Sequence, residues 1–295
     1  MSPPMTRITI GAGLIAGTAG ILLGDLALDK WVWAPGFWLL LTAAMMAGSY
    51  EFTRMLRRKG YPCRPALAMG FTAMLVAASW IYIRTTACDP YIGFMQPYIW
   101  ILIALVLATF LAEILSVERP GGDIGRAAQS VAWTVLVVMT VGLTGVFLAK
   151  IRFYSPDPTE GLMYLALFLG TVKVGDIGAY AIGSALGRHK LVPTLSPRKT
   201  VEGLFGGLAA GIGMALAIGC GWGRFAWWQM VLFGLVVSVA GVLGDLAESL
   251  IKRACGVKDS GAIPGFGGAL DILDSVLAAA PVAYLALVVL TGPVQ

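Results

Sequence analysis

Apolar residues run along this chain in long blocks, with polar residues gathered between them. The blocks lie near 8–28, 33–50, 65–84, 96–116, 128–149, 160–186, 203–220, 226–249 and 269–291. Most approach the ~20 residues that an α-helix needs to cross a bilayer. Lipid offers no partners to backbone amides, so each block is expected to close its hydrogen bonds within itself, as a helix. The pattern predicts an all-α polytopic integral membrane protein with about nine transmembrane helices. The first block has no A-x-A cleavage site and further spans follow it, so it reads as a helix rather than a signal peptide.

Composition agrees. Of 295 residues 58% are hydrophobic and 13% charged, too few charges for the wetted surface of a soluble domain of this size. Cys63, Cys88, Cys220 and Cys255 form no CxxC pair, so neither a zinc site nor a disulfide framework is indicated. The lone His189 excludes a histidine-rich metal site. The net charge of +5 reads as topology rather than nucleic-acid binding. Arg7, Arg54, Arg57, Arg58, Lys59, Arg64, Arg119, Arg126, Arg188, Lys190, Arg198, Lys199, Lys252, Arg253 and Lys258 fall on one side of the spans. Lys30, Arg84, Lys150, Arg152 and Arg224 fall on the other. A bias of about three to one places the N-terminus and the first set in the cytoplasm. Loops are short and no composition break marks a second domain. Residues 1–150 are expected to form scaffold helices and 151–295 a catalytic region, within one integrated domain.

Charge enters the later spans. Lys173 and Asp176 lie three apart, as do Asp245 and Glu248, and Asp271 and Asp274. That spacing puts each pair on one helix face. Ionisable groups inside a span are costly and mark candidate sites. The orientation puts Asp176 roughly 15 Å from the inner end of its helix, at 1.5 Å per residue. Asp245, Glu248, Asp271 and Asp274 come near the cytoplasmic surface, so three acidic faces are expected to line one inward-facing cavity. The competing expectation is that Lys173 simply pairs with Asp176 and the rest are interfacial. Basic, Gly/Pro-rich segments at 187–203 and 252–268 lie on the same side. Carboxylates suit a hard cation such as Mg²⁺, and Lys, Arg and glycine amides suit phosphate. The combination describes a polyphosphate–metal site, and no P-loop is present. Gly207-x-x-x-Gly211 and Gly183-x-x-x-Gly187 predict close helix packing. Glu51 beside Arg54 reads as a surface pair.

These blocks resemble the CDP-diacylglycerol synthase (phosphatidate cytidylyltransferase) family. Ser249, Lys252, Arg253, Lys258 and Asp259, then Pro264, Gly267, Gly268, Asp271, Asp274 and Ser275, follow its C-terminal signature in order. Gly244, Asp245, Glu248 and Ser249 match a G-D-x-x-E-S block. Asp176, Gly178, Ala179 and Tyr180 form a further block, as do Ser196, Lys199, Thr200, Glu202, Gly203, Gly206 and Gly207. The resemblance covers about 173–281. Phe266 stands where the family has histidine, Ile272 stands where it has arginine, and the stretch from Gly261 to Pro264 is one residue shorter.

The resemblance implies CDP-diacylglycerol and pyrophosphate formed from CTP and phosphatidate, with Mg²⁺, possibly as two ions, and a homodimer in a bacterial plasma membrane. Asp245, Asp271 and Asp274 are the expected metal ligands, with Asp176 and Asp259 next. Asp245, Asp271, Asp274 and Lys252 form the expected catalytic set. Ser196, Lys199, Thr200, Arg253 and Lys258 are assigned to substrate phosphates. Thr200 is equally placed to cap the seventh span. Two other readings stay open: a CTP-dependent polyprenol or phytol kinase, and a transporter using the intramembrane acids.

Overall fold

The computed structural model describes residue 13 and residues 16–27, 34–85, 96–261 and 267–291. Its elements are α1 (Ala16–Ala27), α2 (Pro35–Lys59), α3 (Pro65–Thr85), α4 (Gln96–Val117), α5 (Ile124–Val137), a π-helical segment (Val138–Leu143), α6 (Thr144–Arg152) and α7 (Pro158–Leu186). A hairpin of β1 (Lys190–Val192) and β2 (Ser196–Thr200) follows, then α8 (Val201–Gly221), α9 (Trp227–Ala254) and α10 (Ala269–Thr291). Among the described residues, seven helices are long and apolar enough to cross a membrane. The protein is a nearly all-α membrane protein, as its apolar blocks predict.

Seven is fewer than the nine expected. The described part of the first block is residue 13 and the short apolar helix Ala16–Ala27, the rest of that block lying outside the described residues. The second block continues as helix past its apolar stretch, so Glu51, Arg54, Arg57, Arg58 and Lys59 belong to α2 itself. The fifth extends to Arg152, through the π-helical segment. Lys150 and Arg152 are therefore buried helix residues rather than loop charges. The Arg152 guanidinium donates to the Pro158 carbonyl at 3.2 Å, and Lys150 Nζ lies 5.5 Å from the Tyr284 ring centroid.

The chain divides into two compact units. The first comprises Met1–Ala87, Ile92–Ala149 and Cys255–Ile272; the second comprises Cys88–Tyr91, Lys150–Ala254 and Leu273–Gln295. In the first unit buried Asp25 accepts from the Gly36 and Phe37 amides at 2.9 and 2.7 Å, satisfying orphan donors at the start of α2. Arg64 Nε donates to Glu113 at 2.6 Å, Ser130 Oγ donates to the same carboxylate at 2.5 Å, and the Arg64 amide donates to Thr134 Oγ1 at 3.0 Å. This knot of satisfied charge ties the start of α3 to α4 and α5.

In the second unit α7 and α8 approach through small residues. A Cβ on Gly207 would stand 2.9 Å from Ala179 Cβ and 3.0 Å from the Gly175 carbonyl, and one on Gly203 would stand 2.8 Å from the Ala179 carbonyl. The expected close packing is thus present. Overpacking such a contact costs about 1–3 kcal/mol. Gly207→Val is expected to lower the unfolding temperature of the detergent-purified protein. Gly213→Ala, whose added Cβ meets nothing within 4 Å, is expected to leave it unchanged or raise it.

Candidate active site

The site lies in the second unit. Asp245 and Glu248 sit one turn apart on α9, and Asp274 lies on α10. Oxygens from the three carboxylates all lie within 4.8 Å of one another. What lets the helices approach is Gly244, where a Cβ would fall 2.6 Å from the Asp274 carbonyl. Gly241, one turn earlier, faces Ser275, with a Cβ there 3.7 Å from the serine's own.

Two lysines offset part of this charge. Lys252 Nζ donates to Glu248 Oε2 at 2.7 Å, and both residues are buried, at 9% and 6% exposed. Lys199, delivered by β2, stands 2.6 Å from Asp245 Oδ2. Its ammonium is buried, yet that close contact is not a well-directed hydrogen bond. Its remaining donor capacity suits an incoming oxyanion.

Asp176 enters from α7 through a second knot. Lys173 Nζ lies 3.3 Å from Asp176 Oδ2 and donates to Ser275 Oγ at 3.1 Å, and Ser275 Oγ donates to Asp176 Oδ2 at 2.9 Å. The Lys173–Asp176 pair expected from spacing is real, and it is fastened to the residue after Asp274. The Ser275 amide in turn donates to Asp274 Oδ1 at 2.6 Å.

The hairpin is a small sheet that helical periodicity does not reveal. Lys190 pairs with Thr200 and Val192 with Ser196. Glu202, in the first turn of α8, accepts from the Arg188 and His189 amides at 3.1 and 3.2 Å and lies 2.6 Å from His189 Nδ1. Thr200 is the N-cap of α8, its hydroxyl accepting from the Gly203 amide at 3.1 Å. Ser196 is half-buried at the start of β2. Arg253 is exposed, and its Nε donates to the Leu195 carbonyl at 3.4 Å.

Three of the expected residues fall in the first unit. Asp271 accepts from the Ser260 amide and hydroxyl, both at 2.7 Å, and Lys258 and Asp259 are exposed. Phe266 and Pro264 lie outside the described residues. Glu51 is not a surface partner of Arg54: its carboxylate accepts from Ser260 Oγ and the Ala269 and Leu270 amides. Glu248 was expected among the cavity acids but not among the metal ligands, and Lys173 and Ser275 were given no catalytic or binding role. Glu248 and Ser275 stand within the quoted blocks, and Lys173 was marked by its intramembrane charge.

The donor set fits a divalent cation. Oxygens from three acids packed this closely repel one another unless protonated or bridged by positive charge. Two lysines against three carboxylates leave room for a hard, oxygen-liganded cation.

Comparison with known proteins places these residues in a family. The model of a cytidylyltransferase family matches residues 5–290. A phosphatidate cytidylyltransferase of Mycobacterium leprae is 33% identical over 288 residues, covering 95% of this chain and 89% of that protein. One from Haemophilus influenzae is 32% identical over 255 residues, covering 83% and 87%. One from Staphylococcus epidermidis is 38% identical over 201 residues, covering 63% and 76%.

Proposed function

Because the chain belongs to the cytidylyltransferase family, we propose that it is a phosphatidate cytidylyltransferase, forming CDP-diacylglycerol and pyrophosphate from CTP and phosphatidate. The observation that carries this reading is the Asp245–Glu248–Asp274 cluster with Lys199 and Lys252 upon it. Such a site suits a reaction whose obstacle is charge rather than proton transfer.

A phosphatidate oxygen attacks the α-phosphorus of CTP, and pyrophosphate departs in line with it. The nucleophile is already ionised near neutral pH, so no general base is required, in keeping with a chain whose one histidine is held by Glu202. Asp245, Glu248 and Asp274 would hold Mg²⁺, which supplies charge neutralisation on the triphosphate when bound. Asp271, Asp176 and Asp259 remain candidate ligands from the sequence, the first and last in the first unit and Asp176 in the second. Lys199 exchanges its contact with Asp245 for a phosphate oxygen, which spreads negative charge in the transition state. Lys252 holds the Glu248 carboxylate in place through their 2.7 Å contact. Arg253 and Lys258, both exposed, meet the triphosphate or the lipid phosphate from the loop side. Ser196 donates a hydroxyl nearby, while Thr200 acts through the start of α8.

The basic bias of one set of loops supports a cytoplasmic site in a bacterial plasma membrane, where CTP is available. The front half of the chain serves as scaffold for the catalytic back half.

The purified protein, given phosphatidate, Mg²⁺ and CTP labelled at either the α- or the γ-phosphate, is expected to place α-label in lipid and release γ-label as pyrophosphate. Label from the γ-position in lipid would instead mean phosphoryl transfer and would end this reading.

A further inference from the structure

Glu51 belongs to α2, more than two hundred positions before the segment it binds. It lies outside the four motif blocks, which begin at Asp176. Its Oε1 accepts from the Ala269 amide at 3.0 Å, its Oε2 accepts from the Leu270 amide at 2.9 Å, and Oε2 also lies 2.9 Å from Ser260 Oγ, whose single hydroxyl proton it shares with Asp271. Ala269 and Leu270 open α10, so their amides are among the donors a helix start leaves without intrahelical partners. The starts of α5, α7 and α8 take a local cap, from Asp123, Asp157 and Thr200, and α2 takes Asp25 from the helix before it. For α10 the carboxylate comes from a distant helix.

The same carboxylate reaches Asp271 through one serine. Ser260 Oγ lies 2.9 Å from Glu51 Oε2 and 2.7 Å from Asp271 Oδ2, and the Ser260 amide adds a second bond to Asp271 at 2.7 Å. The surrounding glycines are shaped by this seat. Gly268 has no room for a side chain, since a Cβ there would overlap Ser260 Oγ and Glu51 Oε2. Gly261 would place one 2.8 Å from Gly268 Cα. Gly267 has φ +87°, where an L side chain is strained, and its Cβ would stand 3.0 Å from the Asp271 carboxyl carbon.

We propose that Glu51 is a positioning residue for cytidylyl transfer: it seats the first turn of α10 and, through Ser260, fixes the rotamer of Asp271. Asp274 follows one turn further along the same helix, so a loosened start disturbs the aim of both acids. The inference rests on the cytidylyltransferase reading for its catalytic consequence. Its structural half stands apart from that reading.

Glu51→Gln tests it. The substitution preserves shape but turns one oxygen into an amide donor, which must then face another donor. Two measurements are made on purified full-length protein. The first is hydrogen–deuterium exchange of metal-free protein, read on peptides covering residues 267–275. The second is the steady-state rate with CTP, Mg²⁺ and phosphatidate. Exchange in 267–275 is expected to quicken about tenfold while the α7–α9 peptides keep wild-type protection, and kcat is expected to fall about tenfold or more with a smaller change in KM for CTP. Gly268→Ala, which crowds the same seat from the opposite side, is expected to reproduce both effects if Glu51→Gln does not yield folded protein. Unchanged exchange in 267–275 overturns the proposal. So does faster exchange with an unchanged kcat, or faster exchange spread through all helices, which would mark Glu51 as a structural cap alone. A wild-type protein that transfers no CMP would sink the functional reading instead, while the exchange data would still report on the seat.

Discussion

Asp274→Asn is expected to abolish CMP transfer to phosphatidate, by a factor on the order of 10³ or more, while the protein folds normally. The amide has the shape of the acid but lacks the charge that a hard cation requires. The loss falls on transition-state charge stabilisation, where removing even a single fixed donor costs about 10²–10³ in rate. Folding survives because oxygens of Asp245, Glu248 and Asp274 crowd within 4.8 Å of one another, and removing one negative charge relieves repulsion. A thermal-shift experiment separates the two effects. Wild-type protein is expected to gain stability as Mg²⁺ is added, by about 2.7 kcal/mol at a hundredfold excess over Kd. The Asp274→Asn variant is expected to match or exceed the wild type without Mg²⁺ and to gain little from it. Full activity in this variant, or an undiminished Mg²⁺ shift, removes Asp274 from the metal set.

Lys252→Met should give the largest loss of stability in the site. Lys252 and Glu248 are both buried and 2.7 Å apart on successive turns of α9. Deleting the lysine takes the cation away from a buried carboxylate, and breaking a buried ion pair in this way typically costs about 3–5 kcal/mol. Removing both charges together with apolar groups of similar volume is often neutral. Lys252→Met is therefore expected to unfold at markedly lower temperature and to be inactive. Lys252→Met combined with Glu248→Leu is expected to recover most of the stability and none of the activity. Recovery of activity in the double variant would show the pair to be purely structural. A stable single variant would show that the Glu248 carboxylate is compensated elsewhere.

The spans were legible because a bilayer solvent selects on local composition, and α3, α4 and α7–α10 follow their apolar blocks within a few residues. The count was less legible where hydropathy and helicity part company. The helix of α2 runs past its apolar stretch into Arg57 and Lys59, because a helix end needs water rather than apolar residues. Lys150 and Arg152 looked like loop charges and are buried in α6, where Arg152 meets the Pro158 carbonyl and Lys150 meets the Tyr284 ring. The pairing of Lys173 with Asp176 was readable from a spacing of three, while their link to Ser275 was not.

The sequence alone determined that this is a membrane protein with acids in its later helices and cations in the adjoining loops, because lipid burial and helical spacing act over a few residues. Tertiary structure decided which acids meet. Asp245 and Glu248 join Asp274 because Gly244 lets two backbones touch, and Lys199 arrives on a hairpin that no periodicity announces. It also decided that Glu51 seats a helix starting at Ala269, since a carboxylate goes wherever the folded chain leaves amide donors without partners.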